Sequence, residues 1–325
     1  MGKYHCKYIP VIAMITDLGL KTGLLTDLFT CPTRPEEWLQ YTLSEQQLLH
    51  YKHKGYVQGV KLLSKAQVET LLSQLGEMAD PAHPGREFFY EYHSNESEDP
   101  DTTLFHALGA WRVRPAFHDV LWNPAFLMAA YQLLGKDFRL FHDQLFSKPA
   151  KHGGVVAWHQ DYSYWTWTTP MAHLTSWIAL DDVDATNGCM YYVPGSHHWG
   201  LLQKKSLAGK MDAIRNELTA TQLEDFAKKI PLEMNAGEAS FHHPLLMHGS
   251  YENQSDRSRR ATIINIFADG VRSNREEDGS NSPGADNYPG IPKGERMHGT
   301  YYPLLLDSGQ SLAEIADEIP TISTI

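Results

Sequence analysis

Five short segments in the second half of the chain limit its fold more than any other feature. Residues 138–146, 175–183, 190–193, 239–243 and 262–267 are apolar, aromatic and β-branched, and Gly, Pro, Asn and Asp punctuate the intervals between them. Short strands broken by turn formers point to a β-barrel or sandwich. Helical signals come earlier in the chain. Ser44 with Gln47 forms a capping box that opens a short helix up to Gly55. Ser64 and Gln67 form the cap pair of a second helix over residues 61–78, with Leu71, Leu72 and Leu75 as its apolar stripe. Asn123 starts a helix over residues 124–134 that Gly135 stops. Thr219 and Gln222 cap an inserted helix over residues 219–229. Residues 93–103 read as a polar loop and residues 272–295 as a long Gly/Pro/Asn/Asp-rich loop. Residues 1–42 lack a clear period and read as a loosely attached extension. The expected organisation is that extension followed by one domain over residues 43–325, helices first and a β core after.

Composition narrows the partners. The net charge of −11 disfavours a nucleic acid, whose phosphates demand Lys and Arg. No apolar run of about 18 residues is present, so no membrane-spanning helix is expected. The apolar stretch at residues 8–15, after Lys3 and Lys7, is short and lacks a close cleavage site, so no signal peptide is expected. The C-terminal Ser-Thr-Ile matches no targeting tripeptide. Cys6, Cys31 and Cys189 are odd in number and widely spaced, which argues against a disulfide framework or a zinc finger and for a cytoplasmic setting. Oligomeric state is not legible in these features.

Chemistry concentrates around Trp158-His159-Gln160-Asp161. On extended backbone, side chains at i and i+2 point the same way, so His159 and Asp161 can reach one metal. Among seventeen histidines a chance His-x-Asp is unremarkable, and such a pair is most often a surface His and a solvated Asp. A third ligand changes that reading, and His248, 89 residues on in His242-His-Pro-Leu-Leu-Met-His248-Gly-Ser250, is the best candidate. Two His and one carboxylate on one face of iron leave three positions open for a bidentate 2-oxo acid and dioxygen. The remote carboxylate of such a co-substrate calls for a guanidinium about one strand away. Arg259 and Arg260 are adjacent, so only one can face inward, and spacing alone does not say which.

The ordered set of these motifs resembles the phytanoyl-CoA dioxygenase family, which includes the ectoine hydroxylases. His159-x-Asp161, Trp177-Ile-Ala-Leu-Asp-Asp182, Asn187-Gly188, Val193-Pro-Gly-Ser-His197 and the block from Phe241 to Arg260 carry the likeness, which covers residues 45–310. It implies a double-stranded β-helix (a jelly roll, cupin-like) flanked by helices. It also implies that His159, Asp161 and His248 bind Fe(II), and that Arg259, eleven residues after the distal His, binds 2-oxoglutarate in preference to Arg260. Ser250, Trp177, Gln160 and Gln144 are implied at the same co-substrate. The implied reaction class is hydroxylation of an unactivated C–H bond with 2-oxoglutarate and dioxygen. Desaturation, epoxidation and ring closure use the same ligand set. A halogenase would need a small residue at Asp161, and a non-enzymatic zinc barrel of cupin type would have no use for Arg259.

Other residues read as structural. The Val193-Pro-Gly-Ser turn closes the barrel, with His197 and His198 as loop hydrogen-bonders. His242 and His243 read as packed core histidines. Tyr162, Tyr164, Trp165 and Trp167 directly follow Asp161 and read as core aromatics or as the wall of a pocket for a small or medium organic metabolite. Apart from Lys148/Lys151 and Arg257/Arg259/Arg260, no Lys/Arg cluster lies near the metal motifs, which disfavours a coenzyme-A thioester.

Overall fold

Local caps set the helices. Gln47 Oε1 accepts from the Ser44 N–H at 2.9 Å while the Ser44 hydroxyl accepts from the Gln47 N–H, and helix α1 (Glu45–Lys54) begins there. It ends at Gly55, whose φ of 83° lies in the left-handed region that glycine adopts without a Cβ penalty. The same device at Ser64/Gln67 starts α2 (Lys65–Met78). Residues 61–64, expected as its first turn, are not helical, because the Ser64 cap fixes the start and Tyr56–Lys61 is a strand. After α3 (Pro115–Asp119), Asn123 and Gly135 bound α4 (Pro124–Leu134), and Thr219/Gln222 cap α5 (Ala220–Phe226).

The computed structural model describes residues 16–276 and 290–324. Cys6, the apolar stretch at 8–15 and residues 277–289 of the expected long loop lie outside the described residues. Residues 16–42, expected to be loosely attached, are packed. Phe29 and Trp38 join the main apolar cluster, and Asp17 pairs with Arg112 at 2.6 Å. Asp119 accepts from the backbone N–H groups of Leu25 and Thr26. The segment lacks a helical or strand period because its regular pieces are 3-10 turns, Leu18–Leu20 and Pro35–Tyr41.

The strands run β1 (Tyr56–Lys61), β2 (Glu91–His93), β3 (Phe105–Leu108), β4 (Phe138–Lys148), β5 (Val156–His159), β6 (Thr168–Thr169) and β7 (His173–Ala179). They continue as β8 (Met190–Tyr192), β9 (Ile230–Pro231), β10 (Glu238–His242), β11 (His248–Ser250), β12 (Arg259–Ala268), β13 (Arg272–Ser273) and β14 (Leu304–Leu306). The major sheet has the order β1-β10-β7-β12-β4-β3-β2, with β14 also on β4; the minor sheet is β5-β11-β8-β9. Neighbours in both are antiparallel. This is the sheet-rich jelly roll with flanking helices that the sequence implied.

Alternation across the major sheet divides the core. Leu174, Ile178, Ile264 and Ile266 pack outward with Phe126 and Leu71 of the helices. Trp177, Ala179, Ala261 and Ile263 pack inward with Met190 and Tyr192 of the minor sheet. Both faces are covered, so β7 and β12 read as continuous apolar runs. Thr175 and Asn265 interrupt them as buried polar residues, and both belong to the site. Among the described residues no helix is long and apolar enough to cross a membrane.

Candidate metal centre and its pocket

The minor sheet sets the two histidines side by side. His159 ends β5, His248 opens β11, and the antiparallel register pairs them directly. Asp161 follows in a 3-10 turn, Asp161–Tyr164. His159 Nε2 and His248 Nε2 lie 3.6 and 3.5 Å from Asp161 Oδ1. One ligand atom from each of the three buried residues falls within 4.8 Å of the others.

The donor chemistry fits a divalent metal. His159 Nδ1–H donates to the Ala157 carbonyl at 2.7 Å, and His248 Nδ1–H to the Leu246 carbonyl at 2.9 Å. Each ring therefore presents its Nε2 lone pair to the site, as metal-ligating imidazoles do. Burial, reinforced by His159, pushes His248 well below its ordinary value and keeps it in the neutral, ligating form. Burial alone would raise Asp161, but the imidazoles of His248, His159 and His242 hold its carboxyl well below the usual range. The second carboxylate oxygen, Oδ2, accepts from Thr175 Oγ1 at 2.6 Å and from His242 Nε2 at 3.1 Å.

His242 thus does more than fill the core. It is buried, lines the same cavity and holds Asp161, while the Tyr192 hydroxyl lies 2.9 Å from its Nδ1. The sequence gives little warning, because His242 and His243 are adjacent and only the strand register decides which faces in. Removing the His242 donor leaves Oδ2 with Thr175 alone. His242→Leu is expected to weaken binding of a divalent cation by about tenfold to a hundredfold, the usual effect of deleting a partner behind a metal ligand. Titration of the metal-free protein with Co(II) checks this, and wild-type affinity in the variant would mean that Thr175 alone orients Asp161.

Next to the triad lies a buried cationic site. Arg259, the first residue of β12, is 1% exposed; its Nε donates to the Gly188 carbonyl at 3.0 Å and its Nη2 to Ser250 Oγ at 3.0 Å. Its guanidinium carbon stands 5.3 Å from the centre of the Trp177 ring. Burial lowers its pKa to about 10. Among the described residues no carboxylate lies within ion-pair distance of Arg259, whereas Arg260 points outward onto Asp181 at 2.6 Å. The Asn187-Gly188 motif has a physical account here. Gly188 has φ of +79°, and a Cβ there would sit 2.9 Å from the Tyr251 carbonyl, so a side chain would push the Gly188 backbone, whose own carbonyl holds Arg259, out of place.

Lys148 is the residue that sequence reasoning left without a role. It pairs with Arg259 across the β4/β12 ladder and is fully buried. Its Nζ donates to Ser250 Oγ at 2.7 Å and to the Tyr251 carbonyl at 2.6 Å. Ser250 Oγ therefore accepts from both Lys148 and Arg259. With two lone pairs engaged, its own proton is left for an acceptor in the cavity it lines.

The cavity measures about 360 Å³ and is bordered by the triad, Arg259, Ser250, Trp177 and Gln144. Tyr164, Trp165 and Trp167 also line it, and the two tryptophans belong at the same time to an apolar cluster with Phe141 and Phe267. The alternatives of core and pocket wall are therefore both met at these two rings. Two expectations are corrected. Gln160 does not border the cavity, because its amide is spent on the Gly200 and Leu245 carbonyls and the Leu202 N–H, at 2.7–2.9 Å. Tyr162 does not line it either; its hydroxyl donates to the Thr168 carbonyl at 2.6 Å. The fold also brings Lys204 and Lys205 to the cavity, a basic pair distant from the metal motifs in sequence.

A jelly-roll barrel with two His and one carboxylate converging beside a buried guanidinium defines the class as the oxygenase fold of the 2-oxoglutarate enzymes. Residues 51–261 match the model of the phytanoyl-CoA dioxygenase (PhyH) family, and the chain belongs to that family. It is 34% identical over 123 residues to phytanoyl-CoA dioxygenase 1 of Oryza sativa subsp. japonica, a stretch covering 38% of this chain and 42% of the rice protein. It is 30% identical over 159 residues to phytanoyl-CoA dioxygenase of Arabidopsis thaliana, covering 49% of this chain and 55% of that protein. The matched stretches thus span about half the length of these relatives. The structure resembles the non-haem α-ketoglutarate-dependent carbocyclase SnoK from nogalamycin biosynthesis, with TM-score 0.64, 23% identity and coverage of 85% of this chain and 100% of that one. It also resembles EctD from S. alaskensis with 2-oxoglutarate and 5-hydroxyectoine, with TM-score 0.62, 18% identity and coverage of 88% and 93%. At these identities the structural likeness speaks for the fold.

Proposed function

We propose that the chain is an Fe(II)- and 2-oxoglutarate-dependent oxygenase that hydroxylates a C–H bond of a small or medium organic metabolite. One observation carries the reading: a buried guanidinium without a carboxylate partner among the described residues stands in the same cavity as a two-His, one-carboxylate cluster. A buried charge is costly unless paired, so the pocket calls for an anion at Arg259. A dicarboxylic 2-oxo acid supplies that anion and, at its other end, two oxygens for a metal held by His159, Asp161 and His248. SnoK and EctD, whose fold is shared, are described as α-ketoglutarate-dependent and as binding 2-oxoglutarate, respectively.

Bound iron, with 2-oxoglutarate and dioxygen, supplies the oxidation, in which C–H becomes C–OH while the co-substrate becomes succinate and carbon dioxide. The chain's own residues bind and orient. Arg259 and the Ser250 proton hold the remote carboxylate, Trp177 walls the methylene side, and the buried position of the triad keeps water out. Trp165 and Trp167 offer aromatic surface to the substrate. At about 360 Å³ the cavity stands at the small end of the range for small-molecule pockets, roughly 300–1,000 Å³, and on this reading it has to take the co-substrate together with the reacting part of a compact substrate.

Absorption spectroscopy tests the reading. Anaerobic addition of Fe(II) and 2-oxoglutarate is expected to produce a metal-to-ligand charge-transfer band, and aeration to release succinate. Absence of both overturns the proposal, and tight, productive use of an acyl-coenzyme A overturns the small-metabolite part of it. A mutation probes the substrate wall. Because Trp165 is both core and wall, Trp165→Ala is expected to cost about 3–5 kcal/mol of stability. It is also expected to abolish stimulation of 2-oxoglutarate turnover by substrate, while slow substrate-free turnover persists at a temperature where the variant is folded. Thermal melts and succinate release on one preparation read both effects. Undiminished stimulation would remove Trp165 from the substrate wall.

A further inference from the structure

A polar row crosses the cavity side of the major sheet, one residue per strand. Thr175 on β7 sits opposite Asn265 on β12. Gln144 on β4 lies one diagonal step from Asn265, and His106 on β3 one diagonal step from Gln144. Such cross-strand neighbours are within reach of polar side chains. All four form a continuous chain that starts outside the sheet. His106 Nδ1 is 2.6 Å from Glu96 Oε2 and its Nε2 is 3.0 Å from Gln144 Oε1. Gln144 Nε2 donates to Asn265 Oδ1 at 2.7 Å, Asn265 Nδ2 to Thr175 Oγ1 at 2.9 Å, and Thr175 Oγ1 to Asp161 Oδ2 at 2.6 Å.

Donor and acceptor inventories fix the direction of this chain. An ionised carboxylate only accepts, so the single Thr175 proton goes to Asp161. Thr175 oxygen must then accept from the Asn265 NH₂, which turns the Asn265 carbonyl to Gln144. Gln144 donates with its NH₂ and turns its own carbonyl to His106. His106 then donates from both nitrogens, to Gln144 and to Glu96. Burial alone would lower His106, but the Glu96 carboxylate outweighs it and raises the imidazole above its ordinary value. The ring also faces Phe146 at 4.1 Å and His93 at 6.1 Å, and Glu91 acts on it in the same direction as Glu96.

We propose that Glu96, His106, Gln144 and Asn265 are a positioning relay for Asp161, whose one-way order of donors holds the Thr175 proton on Oδ2 and leaves Oδ1 as the metal-facing oxygen. The inference rests on the reading of His159, Asp161 and His248 as a metal site. It links the outer wall of the cavity, where Glu96 and His106 stand, through one residue on each of β3, β4, β12 and β7 to the metal ligand Asp161. None of the four residues touches a ligand atom of the triad, so each acts through Thr175.

Reversing the relay without shortening it is the sharpest test. Gln144→Glu keeps length and shape but cannot donate. Asn265 then turns its NH₂ to the introduced carboxylate and its carbonyl to Thr175, and the Thr175 proton leaves Asp161. Charge alone predicts the opposite outcome, since a second carboxylate near the site attracts a cation. Co(II) is titrated into metal-free protein without any 2-oxo acid, followed by its d–d absorption, alongside thermal midpoints. Gln144→Glu is expected to weaken Co(II) by about tenfold, the lower end of the effect of such partners. His106→Leu is expected to weaken it in the same direction, and His106→Gln, whose amide still donates to Gln144, to restore most of the loss. Co(II) bound as tightly or more tightly by Gln144→Glu, or equal behaviour of the two His106 variants, overturns the relay. If wild-type protein binds no Co(II), or if His248→Ala binds it unchanged, the metal-site reading fails and takes the relay with it.

Discussion

Replacement of His159, Asp161 or His248 by Ala is expected to abolish the iron-dependent decarboxylation of 2-oxoglutarate proposed for this chain, the largest effect expected from any single change in it. The three ligand atoms converge within 4.8 Å, so each deletion leaves a two-point site. The three variants should differ in stability. His159→Ala and His248→Ala remove rings whose other polar bonds, among the described residues, go to the carbonyls of Ala157 and Leu246. Asp161→Ala strands two buried donors, Thr175 and His242. Leaving buried donors unsatisfied costs about 1–3 kcal/mol each, so its metal-free thermal midpoint should fall the most. Succinate release with excess Fe(II), read beside metal content and melting curves, separates lost chemistry from lost fold. Full turnover in any one variant would remove that residue from the triad.

How much of this was legible in the sequence depends on whether the signal was local. The caps at Ser44, Ser64, Asn123 and Thr219 are contained within four residues, and each helix starts one residue after its cap, which for α2 is Lys65 and not the expected residue 61. The strands β4, β7, β10 and β12 overlap four of the apolar segments because both faces of the major sheet are covered, and β8 of the minor sheet overlaps the fifth because Met190 and Tyr192 pack against the major sheet's inner face. β1 and β3 escaped notice. β1 reads Tyr-Val-Gln-Gly-Val-Lys with a bulge between Val57 and Val60, which breaks the period of two. β3 is four residues long and holds His106. The triad and Arg259 were readable because their types and separations match a known ordered pattern. His242, Lys148 and Lys204/Lys205 were not, since their importance lies in what the sheet register and the 200–207 loop set opposite them. Gln160 illustrates the reverse case. The family resemblance implied a co-substrate contact for it, but alternation along the backbone turns it to the other side, where it pins the loop at Gly200 and Leu202.

Arg259→Ala is expected to weaken 2-oxoglutarate by about tenfold to a hundredfold, while Arg260→Ala leaves it unchanged. The two residues are neighbours on β12 and carry the same charge, so the contrast isolates direction from electrostatics. Arg259 is buried against Trp177 and bonded to Ser250 and Gly188. Its loss removes a charge-assisted contact worth roughly 1.5–3 kcal/mol, and about 1.4 kcal/mol is a factor of ten. Lys148 stays behind Ser250 and its Nζ still donates to the same hydroxyl, so binding is weakened and not erased. Arg259→Lys should fall between, because an ammonium cannot reproduce the planar fork of the guanidinium. Arg260 instead meets Asp181 near the surface at 2.6 Å, and such pairs contribute about 0–1 kcal/mol to stability. Titration of 2-oxoglutarate into each Fe(II)-loaded variant under anaerobic conditions, read by the charge-transfer band, decides the matter. A strong effect of Arg260→Ala with none from Arg259→Ala would place the co-substrate carboxylate outside the barrel and remove the observation on which the functional reading rests.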